Sequence, residues 1–499
     1  MGQITPSTRD APPKAGAMVE ALRGMGYSIS TAIADIIDNS ISAGADVINV
    51  KFHWRGPGSA ISIMDNGSGM VPTVLERAMR LGDKDPSDDR SLVDLGRFGL
   101  GLKTASFSQA RRLTVRSKRD DTSETLRWDL DLLRADPQGR WLLLEGCEPG
   151  SEQFFAALEP LTRGTLVLWE VLDRVVPPGS SDKDFLQVID RVEQHLSMVF
   201  HRFLERRLID IKINDVSIKP WDPFLRSRAD TWRSGENAMV VDGHRINFEG
   251  FVLPHKDRLP PKIYEESAGP DGWTAQQGFY VYRNERLLVA GNWLGLGRGR
   301  SWTKEEPFRL ARIRLDIPNT ADEDWKIDIR KSIARPPHSA RPRLSIFAED
   351  VRQRARRVFA FRGKPERRSS VGPVAPVWEV ERLKNGMRYR VDQTHPAIAA
   401  VLEHAGDLKE DVIAMLRVIE ETVPVQQIWL DTAEAKETPK TGFDGAPPEE
   451  VRSVMQTVFN NLVNRKGLSE EQARRHLSTT DPFDNWPSFL DTMTASRRA

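Results

Sequence analysis

Along the chain the spacing of apolar positions changes often enough to divide it into elements. In TAIADIIDNSISAGA, residues 31–45, the isoleucines at 33, 36, 37 and 41 recur at helical spacing. Asp35, Asp38, Asn39 and Ser42 fall at i, i+3, i+4 and i+7 of that helix and form one polar stripe. DVINVKFHW then alternates Ile48, Val50 and Phe52 with polar neighbours, as a half-buried strand does. RGPGSA turns the chain into a second strand, ISIMD, which runs into DNGSGM. Pro72 opens a helix in VPTVLERAMRLG. DKDPSDDRSLVD predicts a mobile loop, and GRFGLGLKTASFSQA predicts a Gly-rich segment leading into a helix. Strands are predicted at RLTVRS, ETLRWDLDLL and GTLVLWEVL. The mixture predicts an α/β (α+β) sandwich to about residue 180.

Beyond it, residues 182–207 have the period of one long amphipathic helix, and IDIKINDVSIKPWDPF that of a hairpin. A second α/β unit is expected over roughly 235–345, with strands in GFYVYRNERLLVAG and LARIRLDIP, followed by a helix near 342–361. The resulting division is an arm at 1–17, a first domain at 18–180, and a second at 181–364. A linker at 365–376 and a mainly helical region at 377–499 follow. DTAEAKETPKTGFDGAPPEE, inside that last region, has the composition of a disordered segment.

Composition narrows the function classes. The 72 basic and 71 acidic residues leave a formal charge of +1, so overall charge neither requires nor excludes nucleic acid. The single cysteine, Cys147, excludes an internal disulfide and fits a reducing, cytoplasmic setting. No apolar run is long enough to span a bilayer, so no membrane partner is expected, and the polar N-terminus does not resemble a secretory signal. The nine histidines form no zinc-type spacing. The run 352–368 carries eight basic residues against one Glu; it reads first as a solvated helix face and second as a phosphate-binding patch.

Chemistry concentrates in three segments, DIIDN, DNGSGM and GRFGLGLK. Gly96, Gly99 and Gly101 at a helix start can bring backbone N–H groups onto phosphate, and Lys103 can add a point charge. Asp65 at a strand end can accept from an adenine amino group, with Gly67 and Gly69 keeping the base pocket open. Asn39 can hold Mg²⁺, and a carboxylate one turn earlier, Asp35, can activate water.

The order and spacing resemble the GHKL ATPases: gyrase-type topoisomerases, the ATP-dependent heat-shock chaperone, histidine kinases and MutL. The first box, similar to E-x-x-D-N, reads Asp35-Ile36-Ile37-Asp38-Asn39. The second, D-x-G-x-G, reads Asp65-Asn66-Gly67-Ser68-Gly69, followed by Met70. The phosphate-lid box reads Gly96-Arg97-Phe98-Gly99-Leu100-Gly101-Leu102-Lys103, and Gly164-Thr165 resembles the family's later Gly-Thr near adenine. GRFGLGLKTAS is most similar to the MORC branch. The resemblance implies a Bergerat-type ATP-binding domain, with ATP and Mg²⁺ contacting these boxes. It implies a transducer-like second domain that sends one basic residue to the γ-phosphate, here Lys331, with Arg330 and Lys326 as rivals. It further implies an ATP-dependent homodimer acting on DNA, with proteins of a defence or repair system as partners. Asp35 departs from the family glutamate by one methylene. A chaperone-like ATPase that clamps protein clients stays open beside a clamp on DNA, and the short Asp35 keeps open a non-hydrolysing ATP-dependent scaffold.

Overall fold

The computed structural model describes residues 13–24, 26–82, 101–297, 299–321, 324–328, 334–360, 375–383, 386–428 and 447–495. They belong to two compact units, Met1–Gly363 and Lys364–Ala499.

The first unit opens with helices α1 (Ala15–Arg23) and α2 (Ile29–Ser42), the latter capped by Ser28, whose side chain accepts from Thr31 N–H. Residues 15–17, expected in the arm, already belong to α1, where Ala15 N–H donates to Gly139 O at 3.0 Å. Strands β1 (Val47–His53) and β2 (Ala60–Asp65) form a hairpin, and α3 (Pro72–Met79) and α4 (Gly101–Gln109) follow. Next come β3 (Arg112–Arg119), β4 (Thr122–Asp129), α5 (Leu130–Ala135), β5 (Leu144–Glu145) and β6 (Arg163–Glu170). The stretch ETLRWDLDLL is thus not all strand. Asp129 ends β4 and caps α5 by accepting from the N–H groups of Asp131 and Leu132, and Leu130 and Leu133 are buried at helical spacing.

The chain continues through α6 (Asp182–Val199), α7 (His201–Glu205), β7 (Asp210–Ile213) and β8 (Val216–Ser217). The long helix expected over 182–207 is therefore two, divided at fully buried Phe200, whose φ of −105° and ψ of 12° leave the helical range. The strands form one eight-stranded sheet in the order β5-β4-β3-β6-β2-β1-β7-β8, with β7 parallel to β1. Two of its strands come from beyond residue 180, and Phe185, Val192, Leu196 and Ile211 share its core, so this layer extends past the expected domain edge. Ile33, Ile36 and Ile37 of α2 bury against Ile48, Val50, Ile61 and Ile63 in that core.

A six-stranded second sheet follows, built from β9 (Trp232–Arg233), β10 (Asn237–Val241), β11 (His244–Val252), β12 (Gly278–Arg283), β13 (Arg286–Asn292) and β14 (Ala311–Ile317). Its order is β10-β11-β14-β12-β13, with β9 beside β11. The helix Arg341–Ala360 packs Leu344, Ala348, Val351 and Ala355 into this sheet's core. The basic run on that helix is not uniformly solvated. Arg352 is 4% exposed, its guanidinium 3.7 Å from the Phe308 ring centroid and 4.7 Å from those of Trp293 and Trp302. Arg354 pairs with Asp350. Phe359 packs against the core, and residues 361–368 lie outside the described residues.

In the second unit, helices Pro396–His404, Lys409–Thr422, Glu449–Asn464 and Glu470–Leu477 agree with a mainly helical region. It also holds an antiparallel hairpin, Trp378–Leu383 with Gly386–Val391. The Asn385-Gly386 pair was the available sequence signal for it. The expected linker over 365–374 and most of the segment expected to be disordered lie outside the described residues.

Candidate functional site

Asp65 ends β2, opposite Thr165 of β6 in the antiparallel register. Ser40 of α2 donates its hydroxyl to Asp65 Oδ2 at 2.8 Å, and Gly67 N–H donates to Oδ1 at 2.9 Å. The carboxyl is 7% exposed. Burial raises its pKa above the usual aspartate value, while hydrogen bonds from Ser40 and the backbone of Gly67 and Thr165 pull it back. Its orientation is therefore fixed from three elements.

The floor beside it admits no side chain. Gly69 has φ +63°, and a Cβ there would lie 1.9 Å from Lys118 O. Gly164 has φ +149°, and its Cβ would lie 2.4 Å from Asp65 O. Ser117 ties the pieces together: its Oγ accepts from Met70 N–H at 2.8 Å and lies 2.9 Å from the Thr165 hydroxyl. Asp65, Gly67, Gly69, Met70 and Thr165, expected together from the sequence, do come together here.

On α2, the polar stripe fans out. At 3.6 residues per turn, Asp38 lies about 60° to one side of Asp35 and Asn39 about 40° to the other. Asp35 is 6% exposed and accepts the Tyr27 hydroxyl at 3.0 Å on Oδ2. A Cβ on Gly101, the first residue of α4, would sit 3.9 Å from that oxygen, so the start of α4 faces Asp35. Burial, and then the Asp35 charge, raise the Tyr27 pKa, so the phenol stays protonated. Thr104 of α4 and Asp328, from the segment after the second sheet, also act on this hydroxyl. Asn39 is exposed and makes no side-chain hydrogen bond among the described residues, which suits a neutral oxygen ligand for a hard cation.

Asp38 does not share that open face. It is 1% exposed, and its Oδ1 accepts from Arg286 Nε of β13 at 2.7 Å. Asp38, expected among the nucleotide-binding residues, thus forms a buried ion pair with the second sheet. Lys103 is 3% exposed and donates to Ala78 O at 2.8 Å, at the end of α3, instead of pointing into open solvent. Gly96, Arg97, Phe98, Gly99 and Leu100 lie outside the described residues, as do Arg330 and Lys331; Lys326 is described and exposed.

The sequence reading missed Tyr27, Ser40, Ser117 and Arg286. Ser40 follows the first box directly and was within reach; the others are joined to the site only by the folded sheets. Elsewhere His201, Glu205 and Asp222 offer ligand atoms within 4.8 Å of one another. Arg226 occupies both carboxylates, and Tyr282 lies 2.8 Å from His201 Nε2, so this is an ion-pair network.

Residues 27–152 match the family of histidine kinase-, DNA gyrase B-, and HSP90-like ATPases. This part of the chain is therefore similar to GHKL-type ATPase domains, and Asp35, Asn39, Asp65 and the DNGSG glycines stand in its matching segment. Over 98 residues the chain is 35% identical to the DNA mismatch repair protein MutL of Neisseria meningitidis serogroup C and of serogroup A, and 33% identical to that of Neisseria gonorrhoeae. These matches cover 19% of this chain and only 14% of each relative. No helix among the described residues is long and apolar enough to cross a membrane.

Proposed function

We propose that the chain is an ATP-driven conformational switch. The adenine amino group donates to Asp65, the base lies over Gly67, Gly69 and Met70 with Thr165 alongside, and the phosphates lie toward the start of α4. The observation that carries this reading is Asp65 itself, a buried carboxylate held by Ser40 and Gly67 above a floor where Gly69 and Gly164 leave no room for Cβ. Mg²⁺ held by Asn39 would neutralise phosphate charge.

Asp35 takes the proton of the attacking water, and Tyr27 fixes its rotamer by donating to Oδ2. Gly96, Arg97, Phe98, Gly99, Leu100 and Gly101 wrap the phosphates as the segment 82–103 closes, and Lys103 supports that closure. Lys331 reads the γ-phosphate. In its support, Asp328, three residues earlier, already acts on the Tyr27 hydroxyl. ATP closes two subunits into a dimer, with exchange of the N-terminal arm, and hydrolysis reopens it. The similarity to MutL favours DNA as the substrate of the clamp, and the MORC-like layout favours a role in a defence system.

A second reading, a scaffold that binds ATP without turning it over, is favoured by the short Asp35 and its bond to Tyr27. Calorimetry with a non-hydrolysable ATP analogue, phosphate release, and salt-dependent DNA retention with and without ATP test the set. Binding with turnover and ATP-dependent DNA retention is expected. Binding without turnover selects the scaffold, and no binding removes both readings.

A further inference from the structure

The first sheet has a second face, turned away from α2 and Asp65. Along β1, Ile48, Val50 and Phe52 enter the core beneath α2, so Asn49, Lys51 and His53 project the other way. Ser62 and Met64 of β2 and Leu166 of β6 project to the same side. A 3-10 helix, Glu152–Leu158, covers part of this face by seating Phe155 and Leu158 on Ala60, Leu166 and Leu168, a small apolar cluster of its own. Between that helix and β1 lies a cavity of about 410 Å³, within the ~300–1,000 Å³ of small-molecule sites.

The lining divides by chemistry. Phe154, Met64 and Leu166 supply an apolar wall, Lys51 and Arg55 supply two cations, and Asn49, His53 and Ser62 supply neutral hydrogen-bonding groups. His53 Nε2 lies 3.1 Å from Ser62 Oγ, and its ring centroid 4.8 Å from that of Phe154. The Arg55 guanidinium lies 5.4 Å from the same Phe154 ring, and its polar contact among the described residues is a neutral amide, Gln153 Oε1 at 3.4 Å. Lys51 Nζ lies 3.0 Å from Asp215, a pair whose side chains are 34% and 65% exposed, so water screens it and a bound anion can share the lysine. Two cations beside one carboxylate leave the cavity positive. Burial, then Arg55 and Lys51, lower the His53 pKa, so the imidazole is neutral at pH 7.

We propose that this cavity is a second ligand site, on the face of the sheet opposite Asp65, which takes a small planar ring bearing a carboxylate or phosphate. The ring packs on Phe154 and the apolar wall, which removes its faces from water. The anionic group lies between Lys51, a point charge, and Arg55, whose planar fork matches a carboxylate or phosphate. Ser62 and Asn49 fix its orientation. The site uses neither Asp65 nor Asn39 and does not rest on ATP binding.

Calorimetry on the full chain with phenyl phosphate, benzoate and inorganic phosphate tests this, in wild type and in Arg55→Ala, Lys51→Ala, Phe154→Leu and Asp65→Asn. One ring-bearing probe should bind at a single site, and the tighter of the two identifies the anionic group. Inorganic phosphate, which lacks the ring, should bind about tenfold more weakly than that probe. Arg55→Ala and Lys51→Ala, both at solvent-accessible positions where folding is not at stake, should each weaken the probe about tenfold, the loss of one charge-assisted hydrogen bond. Phe154→Leu should weaken the probe and leave inorganic phosphate unchanged, and Asp65→Asn should bind as wild type does. No binding of either ring-bearing probe, wild-type affinity in both alanine variants, or loss of binding in Asp65→Asn overturns the proposal. Inorganic phosphate binding as tightly as the ring-bearing probes overturns it as well.

Discussion

The phenol of Tyr27 donates to Asp35 Oδ2 at 3.0 Å from eight residues earlier in the chain, and both side chains are buried. Asp35 is one methylene shorter than the family glutamate, so its aim depends on this bond. Asp35→Ala should keep ATP binding and lower phosphate release by ~10²–10⁴, the usual contribution of a general base. Tyr27→Phe should keep binding and lower turnover less, by about tenfold. Because the Tyr27 pKa is raised by burial and by the Asp35 charge, no ionisation of this phenol should enter the pH–rate profile near neutrality. Unchanged turnover in Asp35→Ala would assign water activation elsewhere.

Asp65 gives a prediction in pH. An adenine amino donor needs the ionised carboxylate, and burial raises the pKa of the free site. Acidification should therefore begin to weaken ATP binding at a higher pH than for an ordinary aspartate. Asp65→Asn should abolish tight binding and remove that dependence. Calorimetry across pH checks both; near wild-type affinity in Asp65→Asn would exclude the adenine contact.

Asn39→Ala should weaken ATP binding in Mg²⁺ far more than binding measured in EDTA, since its side chain is exposed and tied to nothing else among the described residues. Equal loss in both buffers would make Asn39 a structural residue of α2.

Gly69 and Gly44 both have positive φ, +63° and +73°, yet only Gly69 faces a close neighbour. Gly44→Ala should cost about 1 kcal/mol of backbone strain. Gly69→Ala adds a Cβ 1.9 Å from Lys118 O and should cost about 1–3 kcal/mol more, with loss of nucleotide binding. Thermal melts of the two variants and ATP titration separate the effects; equal melting temperatures would contradict the tight floor.

Lys331→Ala should leave ADP affinity nearly unchanged, because ADP lacks the γ-phosphate, while lowering turnover and ATP-dependent dimerisation together. Arg330→Ala should do neither. Sedimentation with ATP, phosphate release and ADP titration of both variants check the assignment, and a reversed pattern would move the role to Arg330.

Much of this protein is local, and the sequence by itself determined that part. The spacing of Ile33, Ile36 and Ile37 specifies α2, the alternation at Ile48, Val50 and Phe52 specifies β1, and Pro72 starts α3. The glycines of DNGSG stand where a strand must end beside a pocket, so the order of the boxes was legible before any fold was known. Tertiary structure decided what lies opposite each polar side chain. Helical spacing puts Asp38 and Asn39 on one polar stripe, but only the arrival of Arg286, 248 residues later, draws Asp38 into a buried pair and leaves Asn39 exposed. Arg352 belongs to a basic run, yet three aromatic rings from distant segments enclose it. The first sheet takes β7 and β8 from past residue 180 because β1 presents an unpaired edge, and backbone groups at an edge bond whichever strand the chain can bring there. Period and propensity act over one or two turns of chain; charge pairing, edge closure and aromatic enclosure act across space, and only the folded chain brings those partners together.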